Sequence, residues 1–261
     1  MAAKPDVSAD DHALAARLAT EAGTLLVDLR SRGDAEAGGG RAAGKALGRD
    51  GDRAAHELLM RRLSAARPRD AVLSEEGLSD AARLDARRVW IVDPLDGTRE
   101  FGEVPRTDWA VHVALVVDGV PRAGAVALPA QGRTLSTQDP PEAPGSWSGP
   151  ARVLVSRSRP PAEATRIAED LGGELVPLGS AGAKAMAVVL GDADVYAHSG
   201  GQYEWDSAAP VAVARAAGLH ASRLDGSPLA YNQPDPYLPD LLICRAELAE
   251  RVIAAASGLR Q

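Results

Sequence analysis

The strongest constraint on the fold comes from residues 88–98, where an apolar strand runs directly into a turn with two carboxylates. Residues 88–92 form the predicted strand, and Asp93-Pro94-Leu95-Asp96-Gly97-Thr98 follows without a break. Pro94 fixes φ near its turn value and leaves no N–H without a partner. Asp93 and Asp96 lie three positions apart around this turn, so both can point toward one centre. The sequence therefore predicts a buried strand that presents two carboxylates at its end.

Predicted strands and helices follow one another along the rest of the chain, which indicates an α/β fold. The strands cover residues 71–74, 109–117, 123–128, 152–155, 174–178, 194–197 and 241–244, and the helices cover 12–30, 52–66, 161–171, 181–190, 206–217 and 247–256. Residues 138–150 are rich in Pro, Gly and Ser, and they are the expected boundary between an N-terminal half, 1–145, and a C-terminal half, 146–261. Residues 33–50, which include Gly38-Gly39-Gly40, are expected to form a mobile loop.

The composition limits the partners and the location of the protein. Lys plus Arg number 29 and Asp plus Glu number 36, so the net charge is -7. An acidic surface argues against nucleic acid or an anionic membrane as partner. The one cysteine, Cys244, cannot form an intrachain disulfide. The polar start and the lack of a membrane-length apolar run add to this, so we expect a cytoplasmic protein.

Two further carboxylates stand where they could join the turn. Glu75 follows the strand at 71–74, and Asp206 lies in Trp205-Asp206-Ser207-Ala208-Ala209, just before a predicted helix. Hard divalent cations prefer such oxygen ligands. Gly97 would let a ligand approach the backbone, and the Thr98 hydroxyl could orient a water. Each feature also has a simpler reading: a surface Asp-Gly turn, a charged strand end, and an N-cap aspartate that contributes about 1 kcal/mol.

These segments resemble a known family. The Asp93–Thr98 turn and the Trp205–Ala209 segment are similar to the two signatures of the inositol monophosphatase superfamily, and the resemblance covers nearly the whole chain. Within it, Val72-Leu73-Ser74-Glu75-Glu76 and Val155-Ser156-Arg157-Ser158-Arg159 are most similar to the CysQ branch of 3′-phosphoadenosine 5′-phosphate phosphatases. Residues 179–187 and 224–229 resemble the actinobacterial form of that branch.

The resemblance implies a fold and an activity. The fold would be a layered α-β-α-β-α sandwich with the site between the two halves. The enzyme would be a Mg²⁺-dependent phosphatase of sulfur assimilation. It would remove the 3′-phosphate of 3′-phosphoadenosine 5′-phosphate or of 3′-phosphoadenylyl sulfate. The implied partner is a small phosphate ester, here an adenine nucleotide, with no nucleic acid and no membrane. Inhibition by Li⁺ and a homodimer would follow from the same resemblance.

The resemblance also implies roles for individual residues. Glu75, Asp93, Asp96, Asp206 and the Leu95 carbonyl would hold two or three Mg²⁺ ions. Asp52 and Thr98, with Glu75, would activate the attacking water. The substrate would meet Leu95, Asp96, Gly97, Thr98, Arg99, Ser156, Arg157, Lys184, His198 and Asp206. One departure leaves an alternative: many relatives have Val-Thr before the water-activating aspartate, whereas this chain has Ala46-Leu47-Gly48-Arg49-Asp50-Gly51-Asp52, so Asp50 is a rival to Asp52.

Two other functions compete with the nucleotide phosphatase. A broad phosphatase of inositol monophosphate or fructose 1,6-bisphosphate would use the same metal centre, because the wall around the metals sets specificity. Lys184 and residues 156–159 favour the nucleotide. A metal-binding regulator without activity would be expected to have lost a ligand or the water-activating pair, yet all these residue types are present.

Overall fold

The computed structural model describes residues 7–36, 41–77, 80–157 and 160–258 of the 261-residue chain. Within these ranges the chain forms two five-stranded sheets. The strands of the first sheet are Ala71–Ser74 (β1), Arg88–Asp96 (β2), Ala110–Val117 (β3), Val120–Leu128 (β4) and Arg133–Ser136 (β5). They lie in chain order, and β1 pairs in parallel with β2 while the other neighbours are antiparallel.

Strands β2 and β3 form the centre of the first sheet and are buried on both faces. Every residue of β3 is buried, and in β2 only Arg88 is partly exposed. Successive side chains point to opposite faces of a strand. Trp90 and Val113 therefore belong to one apolar core, whereas Val89 and Ala114 belong to another. The predicted buried strands are confirmed, and β2 continues through the turn to Asp96 rather than ending at residue 92.

Two long helices, Ala9–Glu36 (α1) and Arg41–Ala66 (α2), cover the outer face of the first sheet. Leu18 and Leu26 of α1 pack with Leu59 of α2 in the same apolar core as Trp90. Because leucines recur on one face of each helix, burial of that face holds both helices on the sheet.

The predicted mobile loop over residues 33–50 is wrong for the residues that the structure describes. Helix α1 continues through 33–36 and α2 begins at Arg41. The Gly38-Gly39-Gly40 run lies outside the described residues. Glycines suggested a loop because they disfavour helices.

The glycines of α2 have a packing role instead. The short helix Thr98–Gly102 (α3) follows β2 and lies against α2. A Cβ at Gly44 would come within 2.4 Å of the Gly102 carbonyl oxygen, and one at Gly48 within 2.7 Å of Thr98 Cγ2. Glycine at both positions therefore lets α2 pass close to the turn at the end of β2.

The second sheet is built from the C-terminal part of the chain. Its strands are Arg152–Ser156 (β6), Glu174–Leu178 (β7), Val195–Tyr203 (β8), His220–Ser222 (β9) and Tyr237–Cys244 (β10). They lie in the order β7-β6-β8-β10-β9. Strand β6 pairs in parallel with β7 and β8, and β10 pairs antiparallel with β8 and β9.

Helices complete a five-layer arrangement. Ala181–Val189 (α5) and Glu204–Ala216 (α6) share one apolar core with both sheets and therefore lie between them. Ala162–Asp170 (α4) and Ala249–Ser257 (α7) pack on the outer face of the second sheet. The order of layers is α1/α2, first sheet, α5/α6, second sheet, α4/α7. The predicted α-β-α-β-α sandwich is confirmed.

The segment that connects the two sheets coincides with residues 138–150, the predicted boundary between the halves. Residues 137–151 form no helix or strand. Both halves contribute to the central core, so the division at residue 145 stays a prediction. Among the described helices, none combines the length and the apolar character that a membrane crossing requires.

Candidate active site

The turn at the end of β2 fixes two carboxylates at the edge of the first sheet. Asp93 Oδ1 accepts the N–H of Leu95 at 3.0 Å, and Thr98 Oγ1 donates to the Leu95 carbonyl at 3.2 Å. Gly97 adopts the left-handed region with φ of 86°, which a residue without Cβ adopts at low cost. The pairing of β2 with β3 shifts register between Asp93 and Asp96, so both side chains are turned to the same side of the chain end.

Four acidic side chains from three separate segments meet beside this turn. Carboxylate oxygens of Asp93, Asp96 and Asp206 all lie within 4.8 Å of one another. Glu75, at the end of β1, is close enough to Asp93 for a side-chain hydrogen bond. Asp93 is only 1% exposed, whereas Glu75 is an exposed residue whose carboxyl group is turned into the cluster. The structure thus brings together the four carboxylates that the sequence singled out.

The negative charges of the clustered carboxylates exceed the positive charge of the groups around them. Burial, followed by Glu75 and Asp96, raises the pKa of Asp93 well above its ordinary value. Burial and then Asp96 raise the pKa of Asp206 to about 7. The pKa of Glu75 is also raised, by burial first and then by the neighbouring carboxylates. A divalent cation would relieve this repulsion, and an all-oxygen set of ligands suits a hard cation such as Mg²⁺.

Asp96 differs from the other three because it has its own positive partners. The N–H groups of Ala181 and Gly182, in the first turn of α5, donate to its two oxygens at 3.2 and 2.6 Å. His112 Nε2 lies 3.2 Å from Asp96 Oδ2, an ion-pair distance without good hydrogen-bond alignment. Burial alone would raise the pKa of Asp96, but His112 and the N–H groups lower it.

His112 was not predicted as part of the site. Its Nδ1 donates to the carbonyl oxygen of Trp205 at 3.0 Å, so the imidazole joins Asp96 of the first half to the residue before Asp206. Burial lowers the pKa of His112, but Asp96 outweighs this and the net shift is upward. A histidine in an apolar strand gives no sequence signal for such a contact.

The sequence suggested that Asp206 is the N-cap of its helix, and this prediction is wrong. Helix α6 begins two residues earlier, at Glu204, with Tyr203 as N-cap. Asp206 is the third helical residue, and its Oδ2 accepts the Tyr203 N–H at 2.7 Å. The carboxylate therefore closes the first turn of α6 from inside the helix. Tyr203 is an unusual N-cap, which explains why the sequence pattern misplaced the start.

The two candidates for the water-activating aspartate have opposite environments. Asp52 is buried, and its Oδ1 has no hydrogen-bond partner among the described residues. Burial, then Glu75 and Glu76, raises the pKa of Asp52 to about 7. The side chain of Asp50 is 60% exposed and pairs with Arg53 at 3.2 Å. Asp52 alone adjoins the carboxylate cluster.

The predicted substrate contacts near α3 are held by other protein groups. Arg99 is exposed and donates to Glu103 at 2.9 Å. Arg157 Nη1 donates to Glu100 at 2.7 Å and to Glu103 at 3.1 Å. Ser156 ends β6 and is half-buried. Ser158 and Arg159, from the same predicted motif, lie outside the described residues.

Lys184 and His198 lie together behind the cluster. Lys184 is buried in α5; its Nζ donates to the carbonyl oxygens of Gly179 and Ser180 and lies 5.2 Å from the centre of the Tyr196 ring. Burial lowers the pKa of Lys184. Burial and then Lys184 lower the pKa of His198 to about 4. A neutral His198 leaves Nε2 without a partner among the described residues, so this atom could accept a hydrogen bond from a ligand.

Gln202 and Tyr196 lie beside Lys184, and the sequence analysis did not identify them as site residues. Gln202 Nε2 donates to the Tyr196 hydroxyl at 2.6 Å, while Gln202 Oε1 has no partner among the described residues. Asp96 and Asp206 both act on the Tyr196 hydroxyl, whose pKa is raised by burial first and by these two carboxylates second. Neither residue type stood out in the sequence.

A buried network joins the segment after β1 to the start of α6. Arg83 Nη1 donates to Asn232 Oδ1 at 2.7 Å, and Asn232 Nδ2 donates back to the Arg83 carbonyl at 2.9 Å. Glu204 accepts the N–H groups of Asn232 and Gln233 at 2.6 and 2.7 Å. Because Glu204 lies two residues before Asp206, this network ties the first half to the helix that carries the last carboxylate.

Similarity to known proteins agrees with this geometry. Residues 9–261 match the inositol monophosphatase family. A 3′-phosphoadenosine 5′-phosphate phosphatase of Mycobacterium leprae is 55% identical over 251 residues, which cover 92% of this chain and 90% of that protein. The 3′(2′),5′-bisphosphate nucleotidase CysQ of Escherichia coli is 32% identical over 72% of this chain and 80% of that protein.

Solved structures share the fold. CysQ from Bacteroides thetaiotaomicron superposes with a TM-score of 0.74 at 28% identity, covering 91% of this chain and 97% of that one. Inositol monophosphatase II from Staphylococcus aureus superposes with a TM-score of 0.76 at 20% identity, covering 97% and 98%. On the match over residues 9–261, the chain belongs to the inositol monophosphatase family.

Proposed function

We propose that the protein is a Mg²⁺-dependent phosphatase that removes the 3′-phosphate of 3′-phosphoadenosine 5′-phosphate and releases AMP and phosphate. It acts in the same way on 3′-phosphoadenylyl sulfate, within sulfur assimilation. The observation that carries this proposal is the cluster of Glu75, Asp93, Asp96 and Asp206 in a chain 55% identical to a phosphatase of that specificity.

The carboxylate cluster suits the metals of this metal-dependent family. Glu75, Asp93, Asp96, Asp206 and the Leu95 carbonyl would hold the ions. When bound, Mg²⁺ neutralises charge on the phosphoryl group and lowers the pKa of a coordinated water. The raised pKa values of Asp93 and Asp206 support this assignment, because uncompensated carboxylates in one buried place need a cation.

Asp52 and Thr98 are the proposed water-activating pair. Asp52 Oδ1 is buried and has no hydrogen-bond partner in the part of the chain that the structure describes, so it can accept a hydrogen bond or a proton from a water at the cluster. The Thr98 hydroxyl donates to the Leu95 carbonyl, which directs its oxygen lone pairs away from that carbonyl to receive a water hydrogen. Proton removal by a positioned carboxylate accelerates hydrolysis by about 10²- to 10⁴-fold.

The remaining side chains would bind the nucleotide. Lys184 has a third N–H beyond the two that its backbone acceptors use, and His198 Nε2 offers an acceptor. Ser156, Arg157 and Arg99 are proposed to meet the outer part of the substrate. Arg157 would bring its positive charge already oriented by Glu100 and Glu103.

Steady-state kinetics on three substrates test the proposal. Phosphate release from 3′-phosphoadenosine 5′-phosphate, inositol 1-phosphate and fructose 1,6-bisphosphate is measured with Mg²⁺ and with a chelator. We expect kcat/KM for the bisphosphorylated nucleotide to exceed the other two by at least about 100-fold, the scale that polar recognition of a substrate supports. Equal values for the three substrates would reject nucleotide specificity, and undiminished release in the chelator would reject the metal-dependent mechanism.

A further inference from the structure

Three aromatic rings meet at the start of α6. The Tyr203 and Trp205 rings are stacked, with centres 4.9 Å apart and planes 8° from parallel. Tyr237, on the neighbouring strand β10, meets Tyr203 edge to face at 5.9 Å and 82°. Aromatic residues make up only 3% of the chain, so a group of three is a concentration that composition does not explain.

Tyr203 and Tyr237 are exposed although most large apolar side chains are buried, whereas Trp205 is half-buried against the central core. Tyr203 is 42% exposed and Tyr237 is 41% exposed, and among the described residues only Leu84 and Val104 are comparable large apolar side chains. Exposed aromatic rings with polar tips are enriched where proteins bind ligands, because they contribute apolar area with little loss of side-chain freedom.

The backbone ties Tyr203 and Trp205 to Asp206, one of the clustered carboxylates. The Tyr203 N–H donates to Asp206 Oδ2 at 2.7 Å, and Trp205 directly precedes Asp206. The Trp205 carbonyl also accepts from His112, the imidazole that faces Asp96. Any movement of the first turn of α6 would therefore move the rings and the carboxylate together.

A bulge leaves open space next to the rings. Gly200 and Gly201 have φ values of 77° and 86°, and a Cβ at either position would meet no atom of the described residues within 4 Å. The pairing of β8 with β10 shifts register between Leu238 and Asp240, opposite this bulge. Bulges re-aim side chains and are common next to active sites. Here the bulge sets Tyr203 opposite Tyr237, and its exposed glycines leave space beside both rings.

We propose that Tyr203, Trp205 and Tyr237 form a stacking subsite for the nucleobase of the substrate. The inference rests on the proposed function, because a flat heteroaromatic ring belongs to a nucleotide and is absent from a sugar phosphate. The rings offer a π-face within one helical turn of Asp206, which would hold a cation that binds the reacting phosphoryl group. Stacking of one base on an aromatic side chain changes affinity by roughly five- to 150-fold.

Replacement of Tyr203 tests the subsite. Phosphate release is measured for Tyr203→Ala with 3′-phosphoadenosine 5′-phosphate and with β-glycerophosphate, which has no base, and AMP binding is measured by calorimetry. We expect the ratio of kcat/KM for the nucleotide to that for β-glycerophosphate to fall about tenfold, mainly through KM. AMP should bind about tenfold more weakly. Tyr203→Phe, which keeps the ring, should recover most of the loss.

Control measurements distinguish a base subsite from a general loss of activity and from an interface between copies. Leu84→Ala removes an exposed apolar side chain outside the site and should leave the substrate ratio unchanged. The subsite is overturned if Tyr203→Ala lowers kcat/KM equally for the nucleotide and for β-glycerophosphate, or lowers it for neither. A change of oligomeric state in size-exclusion chromatography with unchanged AMP affinity would overturn it too, because the rings would then be an interface between copies. Wild-type enzyme inactive on the nucleotide would overturn the proposed function and the subsite together.

Discussion

The N–H of Gly182 donates to the carboxylate of Asp96 at 2.6 Å, so the end of strand β2 is bonded directly to the first turn of helix α5. The amino end of a helix carries partial positive charge, which favours the ionised carboxylate. His112 stands on the same oxygen at 3.2 Å. Asp96 thus accepts two backbone N–H groups and faces His112, whereas Asp93 and Asp206 each accept one backbone N–H.

Gly182→Ala should destabilise the protein although alanine favours helices. A Cβ at Gly182 would lie 2.1 Å from His112 Nε2 and 3.1 Å from Asp96 Oδ2. The clash must separate α5 from β2, at a cost of about 1–3 kcal/mol in the free energy of unfolding. Urea denaturation measures it. Gly145→Ala is the control, because none of the atoms that the structure describes lies within 4 Å of a Cβ there. A Gly182→Ala protein as stable as wild type would contradict the described contact.

Asp52→Asn and Asp50→Asn should separate the two candidate bases. Asp52 is buried and its Oδ1 finds no partner within the described ranges, whereas Asp50 faces solvent and pairs with Arg53. We expect Asp52→Asn to lower kcat by about 10²- to 10⁴-fold, and Asp50→Asn to change it by less than about twofold. Phosphate release at saturating substrate measures both. The reverse order of the two variants would assign the role to Asp50.

Asp52 should also make the metal-free protein less stable at pH 7 and above than at pH 4. Its folded pKa of about 7 exceeds the ordinary value of 3.8, so the folded state holds a proton that the unfolded chain releases. Stability therefore falls as the pH rises from about 4 to about 7. Urea denaturation in a chelator should show wild type losing stability over this window relative to Asp52→Asn. Parallel pH profiles for the two proteins would contradict the raised pKa of Asp52.

Asp11 should contribute stability with the opposite dependence on pH. It accepts bonds from Arg67 at 2.8 Å and Arg88 at 3.1 Å. Burial raises its pKa, but the Ser8 N–H and the two arginines outweigh burial and lower the pKa to about 2. Stabilisation by the ionised form is thus complete above about pH 4 and disappears as the pH falls through 2.

The variant Asp11→Asn checks this dependence. We expect a loss of about 1–2 kcal/mol in the free energy of unfolding at pH 7 and a smaller loss at pH 3. Urea denaturation at the two pH values gives the difference. An equal loss at both would mean that ionisation of Asp11 is not the source of the stability.

Glu204→Gln should weaken metal binding through the position of α6. Each carboxylate oxygen of Glu204 accepts one N–H, and glutamine replaces one of these oxygens by an NH₂ group that faces the N–H as a second donor, so the 232–233 segment and the first turn of α6 must separate. We expect the Mg²⁺ concentration for half-maximal activity, and the Mg²⁺ dissociation constant by calorimetry, to rise roughly three- to tenfold. Asp194→Asn removes a comparable buried acceptor, bonded to Arg152 and Arg245 away from the cluster. The same rise in both variants would show a general loss of stability.

The sequence predicted the features that depend on local chemistry. The strand before Asp93 and the turn after it follow from apolar residues and Pro94, and both are present. The layer order followed from the resemblance and is confirmed. The four carboxylates meet as expected, while their roles as ligands stay predictions.

The features that were missed depend on contacts between distant segments. Glycines such as Gly44 favour a loop on propensity alone, and only their packing against α3 explains a helix over residues 41–50. Strands β5 and β9 are short and partly polar, so they give little periodic signal. The contact of His112 with Asp96 joins residues on adjacent strands, and the contact of Asp96 with Gly182 spans 86 positions. No local pattern specifies either.

Comparison of wild type with Asp93→Asn tests the central claim most directly, with Mg²⁺ binding by calorimetry and phosphate release from 3′-phosphoadenosine 5′-phosphate measured on the same samples. Asp93 stands at the centre of the carboxylate cluster and is buried. The predicted result is a folded variant, by circular dichroism, that binds Mg²⁺ at least about tenfold more weakly and loses turnover by about 10³-fold or more. A variant that binds Mg²⁺ and releases phosphate as wild type does would contradict a cation site at these carboxylates.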